Sequence, residues 1–284
     1  MEFAKVFLKK FKEFDRFKGI RQALVSVGVG ALFITVGALL GEDFTPYLIF
    51  PGFASIFLAF IFFFVSAFRS SQLENAFYEI LRTDLWTPII GMTSPLKEIT
   101  ITEEALPVED DFLYDYVGQK GSLDRVYYTL KSDQVTLSAL SISHMVSTGN
   151  STSQHIDFRG YYLNIPTSLT ETVRAKNDRT PNWVKPIKNK IKPDTDGSEA
   201  YHIEGKPSFD VESFMNQWHD HGFKHVAWDV SNGFSKLALF EYKVIPKIHR
   251  QPGQLVSTHQ DHLMRLKKVM DTFSTAIQSL EEYY

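Results

Sequence analysis

Nine histidines are the residues of this 284-residue chain best suited to chemistry, and three crowd together: His219, His221 and His225, in the run Trp218-His-Asp-His-Gly-Phe-Lys-His. A zinc centre needs three or four converging nitrogen, oxygen or sulfur donors, and Asp220 could add an oxygen. The local pattern works against convergence. His219 and His221 fall at the end of a short helical repeat, where imidazolium interacts well with the helix dipole. His225 falls on a strand face with Ala227 and Phe240. The chain carries no HExxH or CxxC spacing. His259 and His262 flank Asp261 at what reads as the exposed first turn of a last helix.

Other reaction classes find less support. The chain has no cysteine and no GxSxG elbow for nucleophilic catalysis, and neither GxGxxG nor GK[ST] for phosphates. No cofactor fingerprint is present, and no catalytic residue can be assigned. The remaining candidate is electrostatic. Arg174, Lys176, Arg179, Lys185, Lys188, Lys190 and Lys192 are opposed only by Asp178 over that interval, with Trp183, Ile187 and Ile191 interleaved. Such a stretch could press on anionic lipid headgroups, where each basic side chain near the surface contributes about 1 kcal/mol. A solvated loop is the equal alternative. One tryptophan in a short run does not make a nucleic-acid face.

The elements that must position these residues begin with two uncharged stretches, Gln22 to Gly41 and Phe44 to Phe68, separated only by Glu42 and Asp43. About 20 apolar residues cross roughly 30 Å of hydrocarbon, and only a helix satisfies its backbone there. The pattern predicts a transmembrane helical hairpin. Ser26 and Gly30, and Gly37 and Gly41, are small pairs four apart that let helices approach closely. Pro51-Gly52 could kink or delay the second span. A cleaved signal peptide is not the reading, because the basic leader is long and a second span follows at once.

Charge orients the hairpin. Met1 to Arg21 carries seven basic residues against Glu2, Glu13 and Asp15, whereas the loop between the spans has only acids. Lys and Arg collect on cytoplasmic flanks, so both termini are expected on the cytoplasmic side. Phe3, Phe7, Phe11, Phe14 and Phe17 at helical spacing, with Lys5, Lys9, Lys10 and Lys12 between them, predict a basic amphipathic helix in the membrane interface over 1–21. The hairpin occupies 22–68, and an amphipathic stalk and linker 69–95, stopped by Pro88, Gly91 and Pro95.

Residues 96–284 read as a cytoplasmic α+β domain. A short strand covers Lys97 to Thr102. A long β-hairpin, Gln134 to Val146 and Thr152 to Ile165, turns at Thr148-Gly149-Asn150. Pairing about Gly149 sets Leu140 near Phe158 and Leu137 near Tyr161. Its apolar phase switches near Ala139-Leu140 and Arg159-Gly160, which signals a bulge or burial on both faces. Asp210 to His221 predicts a helix ended by Gly222. Around Asn232-Gly233 a second hairpin sets Trp228 against Leu237, Val226 against Leu239, Asp229 against Lys236 and Lys224 against Glu241. Ser257 to Gln260 resembles a capping box for a long C-terminal helix carrying Leu263, Leu266, Met270, Phe273, Ile277 and Leu280. Lys176 to Glu199 reads as a loop.

Two N-terminal spans, the stalk with Phe77-Tyr78-Glu79, the segment Ile156-Asp157-Phe158-Arg159-Gly160-Tyr161-Tyr162 leading to Ile165-Pro166, and the later helix-hairpin-helix together resemble the bacterial domain-of-unknown-function family 3137. The resemblance covers nearly the whole chain and implies inner-membrane residence and a LemA-like membrane partner, with no catalytic residue transferred. The expectation is a non-enzymatic membrane protein anchoring a cytoplasmic interaction or scaffold domain. The alternative is a metal-dependent membrane-anchored enzyme built on His219, His221 and His225.

Overall fold

Backbone hydrogen bonds unmet by lipid must close within the segment, and in a computed structural model both apolar stretches do so as helices. The structure describes residues 1–14, 17–40, 45–102, 110–117, 121–149, 151–177, 189–191, 201–207 and 209–283. Two compact units divide the chain, Met1–Trp86 and Thr87–Tyr284. The 69–95 stretch is therefore shared between them.

In the first unit, α1 (Glu2–Phe11) and a 3-10 turn (Lys12–Phe14) precede α2 (Phe17–Leu40) and α3 (Thr45–Ile80), which runs on as π-helical turns over Leu81–Trp86. Arg21–Leu40 and Tyr47–Val65 are long and apolar enough to cross a membrane, with mean hydropathies of 2.3 and 2.5. Only 17% and 11% of these spans is buried. Their outward surface is hydrocarbon, with Leu39, Phe50, Phe53, Phe57 and Phe64 all exposed. Pro51 sits inside α3, which continues through it.

Small residues line the seam between the spans. Ala23, Gly30 and Gly37 repeat every seven residues on the buried side of α2, opposite Gly52 and Ala59 of α3. A methyl group on Gly30 would lie 2.7 Å from the Gly52 carbonyl oxygen, and one on Gly52 would lie 2.6 Å from Ile34 Cγ1. Of the expected small pairs, Gly30 and Gly37 face the partner helix. Gly41 lies outside the described residues.

The leader forms a helix over Glu2–Phe11 with its aromatic residues on one side. Its aromatic face meets protein: Phe77 of α3 stands within ring-contact distance of Phe7, Phe11 and Phe14, at centroid separations of 6.3, 5.7 and 5.6 Å. Phe7 and Ala4 are fully buried. The stalk offers an apolar partner at Phe77, against which Phe7, Phe11 and Phe14 pack.

The second unit opens with α4 (Thr87–Met92), which runs through Pro88 and Gly91, the expected stops. A single antiparallel sheet follows, built from β1 (Thr100–Thr102), β2 (Ser122–Lys131), β3 (Thr136–Thr148), β4 (Ser151–Pro166), β5 (Val173–Asn177), β6 (Asn189–Ile191), β7 (Tyr201–Glu204), β8 (Val226–Ser231) and β9 (Phe234–Phe240). Their order in space is β1-β2-β3-β4-β9-β8-β5-β7-β6. The expected loop from Lys176 to Glu199 thus begins inside β5 and contains β6. Side-by-side pairing of β4 with β9 joins the two hairpins, with Tyr161 opposite Leu239.

Two helices complete the unit. In α5 (Val211–Asp220), Asp210 caps the first turn by accepting the Ser213 N–H at 3.0 Å, and Gly222 at φ 83° ends the last. α6 (Pro252–Tyr283) starts five residues before the Ser257 expected to cap it. Proline is preorganised for a first helical position, and Ser257 instead donates to the Gln254 carbonyl within the helix.

The sheet is covered on both sides, which accounts for the phase switch in β3 and β4. Toward α5 and α6 point Tyr128, Tyr161 and Trp228, with Phe214 stacked on Trp228 at 3.8 Å and Trp218 edge-on to Phe273. On the other side Leu140, Ile142, Phe158, Tyr162, Ala227 and Ala238 pack with Phe112, Leu113 and Val117 of a short helical segment. Gly160 has no room for a side chain, since a methyl group there would collide with the Leu239 carbonyl.

Candidate functional site

The outer end of the β3–β4 hairpin gathers the one group of metal-competent side chains among the described residues: His144, His155 and Asp157. Backbone register creates it. The strands close at Thr148 opposite Ser151, with Gly149 at φ 61°, so His144 lies directly across from His155. Between the pairs Ile142–Phe158 and Ser143–Ile156 the register slips, leaving Asp157 as an extra residue. Asp157 is two residues along from His155 and shares the face that carries both histidines, and the break in alternation falls between Asp157 and Phe158.

Asp157 Oδ2 lies 2.6 Å from His144 Nδ1, and Oδ1 lies 3.4 Å from His155 Nδ1. The two imidazoles are nearly parallel, 5.3 Å apart at 28°. One ligand atom from each of the three residues fits within 4.8 Å of the others. The carboxylate is fully buried, whereas the His144 and His155 side chains are 39% and 51% exposed. A rigid acid thus faces two solvent-accessible bases. On the opposite face the strands are clamped: Gln154 donates to Asp124 (2.8 Å) and to Ser143 Oγ (2.7 Å), and Ser141 donates to Asp124 (2.7 Å).

Sequence reasoning missed this group because pairing about Gly149 sets His144 against Gln154. The available signal was the His155-x-Asp157 spacing in a strand with a histidine on its partner.

The histidines expected as alternative ligands stay apart. His219 is exposed at the end of α5. His221 Nε2 lies 3.2 Å from Thr272 Oγ1 and its carbonyl accepts from Arg265, while burial and then Lys268 and Arg265 lower its pKa. His225 packs edge-on to Phe240. His259 is fully buried, not exposed. The earlier start of α6 places it one turn from Leu255 and Leu263, on the core side. Burial, then the neighbouring His262 and His249, pull its pKa down to about 3. His262, at 3.1 Å from the Tyr128 hydroxyl, is lowered to about 4 by burial and Arg265. Tyr128 in turn donates to the Val244 carbonyl at 2.8 Å, and burial raises its pKa.

A second charged group is structural. Asp110 accepts from the Tyr162 hydroxyl, from Lys236 Nζ at 3.2 Å and from the Leu113 N–H at 3.1 Å, tying the short helical segment to the sheet. Burial and then the Asp110 charge raise the Tyr162 pKa. Asp229 accepts from Arg174 Nε at 2.6 Å and from Ser231. The cross-strand pair Asp229–Lys236 has the expected register, yet each charge is bonded elsewhere.

Among the expected membrane-contact residues, Lys5 and Lys9 are exposed on α1 and Lys12 on the 3-10 turn that follows, and Lys10 pairs with Asp84 at 2.7 Å. Arg174 and Lys176 are held in β5, and Lys176 is buried. Lys185, Lys188 and Lys192 lie outside the described residues, as does the Lys190 side chain. Two hollows border α5, one lined by Glu212, Ser213 and Gln217 and the other by Gln217, Lys268 and Asp271, and both are open to solvent. Comparison with protein-family models, curated proteins and solved structures gave no match.

Proposed function

We propose that this is a bacterial inner-membrane protein whose two-span hairpin anchors a cytoplasmic α+β domain serving as an interaction or scaffold module, without catalysis of its own. The observation that carries the reading is the surface of α2 and α3: small residues inside the seam, and phenylalanine and leucine outside. An apolar surface of this extent is matched by lipid and not by water. The basic leader and the acids at Glu42 and Asp43 favour both termini inside. The resemblance to family 3137 adds a LemA-like membrane protein as the partner to look for.

Anionic headgroups are the second expected contact. Phe77, where the leader docks, is 12 residues beyond the end of the Tyr47–Val65 window, or about 18 Å along the helix. That exceeds the roughly 8 Å Debye length of physiological salt, which weakens the case for Lys5, Lys9, Lys10 and Lys12. Lys185, Lys188, Lys190 and Lys192 become the favoured contact. The metal-enzyme alternative at His219, His221 and His225 has no geometric support.

Topology tests the reading directly, because the chain has no cysteine of its own. A single cysteine at the exposed position Ser279 should react with an impermeant maleimide only after the inner membrane is breached. Labelling from the periplasmic side in intact cells would overturn the orientation.

A further inference from the structure

We propose that His144, His155 and Asp157 form a binding site for a divalent transition-metal ion of the zinc type at the outer end of the β3–β4 hairpin. The donor set selects the ion class. Two imidazole nitrogens with one carboxylate suit zinc and its d-block neighbours, whereas magnesium and calcium prefer oxygen throughout. Zinc binds nitrogen and oxygen at about 2.0–2.1 Å, which puts tetrahedral ligands about 3.3 Å from one another. His155 Nδ1 and Asp157 Oδ1 already stand 3.4 Å apart. His144 Nδ1, now 2.6 Å from Oδ2, must withdraw by about 0.7 Å to reach that spacing. Its side chain is 39% exposed and has the freedom to do so.

The rest of the site is preorganised. Asp157 is fixed by the bulge, with Phe158 beside it anchored among Leu140, Ile142 and Phe112. A buried carboxylate is costly without compensating positive charge, and a divalent ion supplies it. Three protein ligands leave a position on the solvent side, open to water or to a donor atom from a second molecule. Both imidazoles must be neutral to bind, so the ion should leave on acidification.

The test uses full-length protein purified in detergent without a histidine tag, stripped with chelator and re-equilibrated with zinc alone. Wild type should retain about one zinc per chain after desalting. His155→Ala, a substitution at a half-exposed position, should weaken binding by at least about tenfold, and His219→Ala should retain it. Cobalt(II) added to the stripped wild type should give visible d–d bands of a four-coordinate nitrogen and oxygen site, a readout that needs no variant. Wild type that holds no zinc and gives no cobalt bands overturns the proposal. Equal zinc retention by wild type and His155→Ala overturns it as well. Neither outcome bears on the membrane topology, which the maleimide experiment decides separately.

Discussion

Replacing Gly30 by leucine should pry the two spans apart, and the size of the effect follows from the seam. A methyl group at Gly30 would sit 2.7 Å from the Gly52 oxygen, against an ordinary contact of 3.4 Å or more, so even alanine demands a shift of about 0.7 Å. Leucine adds three further carbons and pushes the helices toward the usual interaxial distance of about 8–10 Å. Overpacking of this kind costs about 1–3 kcal/mol. At about 1.4 kcal/mol per factor of ten, the ratio of apposed to separated helices falls some five- to 150-fold.

The assay is disulfide trapping. Ala23 and Ala59 each lie seven residues from the Gly30–Gly52 contact, toward the same end of the antiparallel pair, and both are buried. Cysteines at these two positions in an otherwise cysteine-free chain report the apposition of the helices, since a disulfide needs Cα atoms within about 4.4–6.8 Å. Gly30→Leu should slow oxidation at least fivefold, the lower bound of that range. Gly28→Leu is the control, because a methyl group at Gly28 meets nothing within 4 Å. Equal trapping rates in the Gly30 and Gly28 variants would refute the small-residue seam.

Acid should weaken the second unit before its carboxylates titrate. His259 and His262 have folded pKa values of about 3 and about 4, below the unfolded 6.5, so the unfolded chain binds more protons as pH falls through that window. Stability is complete above 6.5 and is lost toward pH 4, by about 2 kcal/mol per histidine at pH 5. His259→Leu should flatten the dependence of Tm on pH between 6.5 and 5, and an unchanged slope would show that His259 already charges in the fold. For the lipid contact, the full-length protein carrying an environment-sensitive dye at Ile187→Cys should respond to anionic but not zwitterionic nanodiscs. Glutamine at Lys185, Lys188, Lys190 and Lys192 should abolish that response, and its persistence would remove the stretch from the interface.

Much of the fold is legible where one interaction dominates. Hydropathy alone marks α2 and α3, because two uncharged runs of about 20 apolar residues are long enough to cross a membrane as helices. The β8–β9 register follows from Asn232-Gly233, since a two-residue turn leaves a single pairing that puts Trp228 and Leu237 together. α5 announces itself through Asp210 and Gly222. Where a residue has two possible partners the outcome lay elsewhere. The leader phenylalanines suit lipid and protein equally, and only the folded chain brings Phe7, Phe11 and Phe14 onto Phe77. His259 suits an exposed first turn until α6 begins at Pro252 and buries it.

The candidate metal site shows the same division. The sequence by itself supplies His144, His155 and Asp157 and places them on one hairpin. Their meeting depends on a register differing by one residue from pairing about Gly149, which sets His144 across from His155 with Asp157 two residues along on the same face. Those features were decided in three dimensions: Phe158 has to reach Phe112 and Ile142 on one side while Tyr161 reaches Phe223 and His262 on the other. A strand buried on both faces loses the polar-apolar alternation that would reveal its phase, so only the packing of both layers specifies which side chains converge.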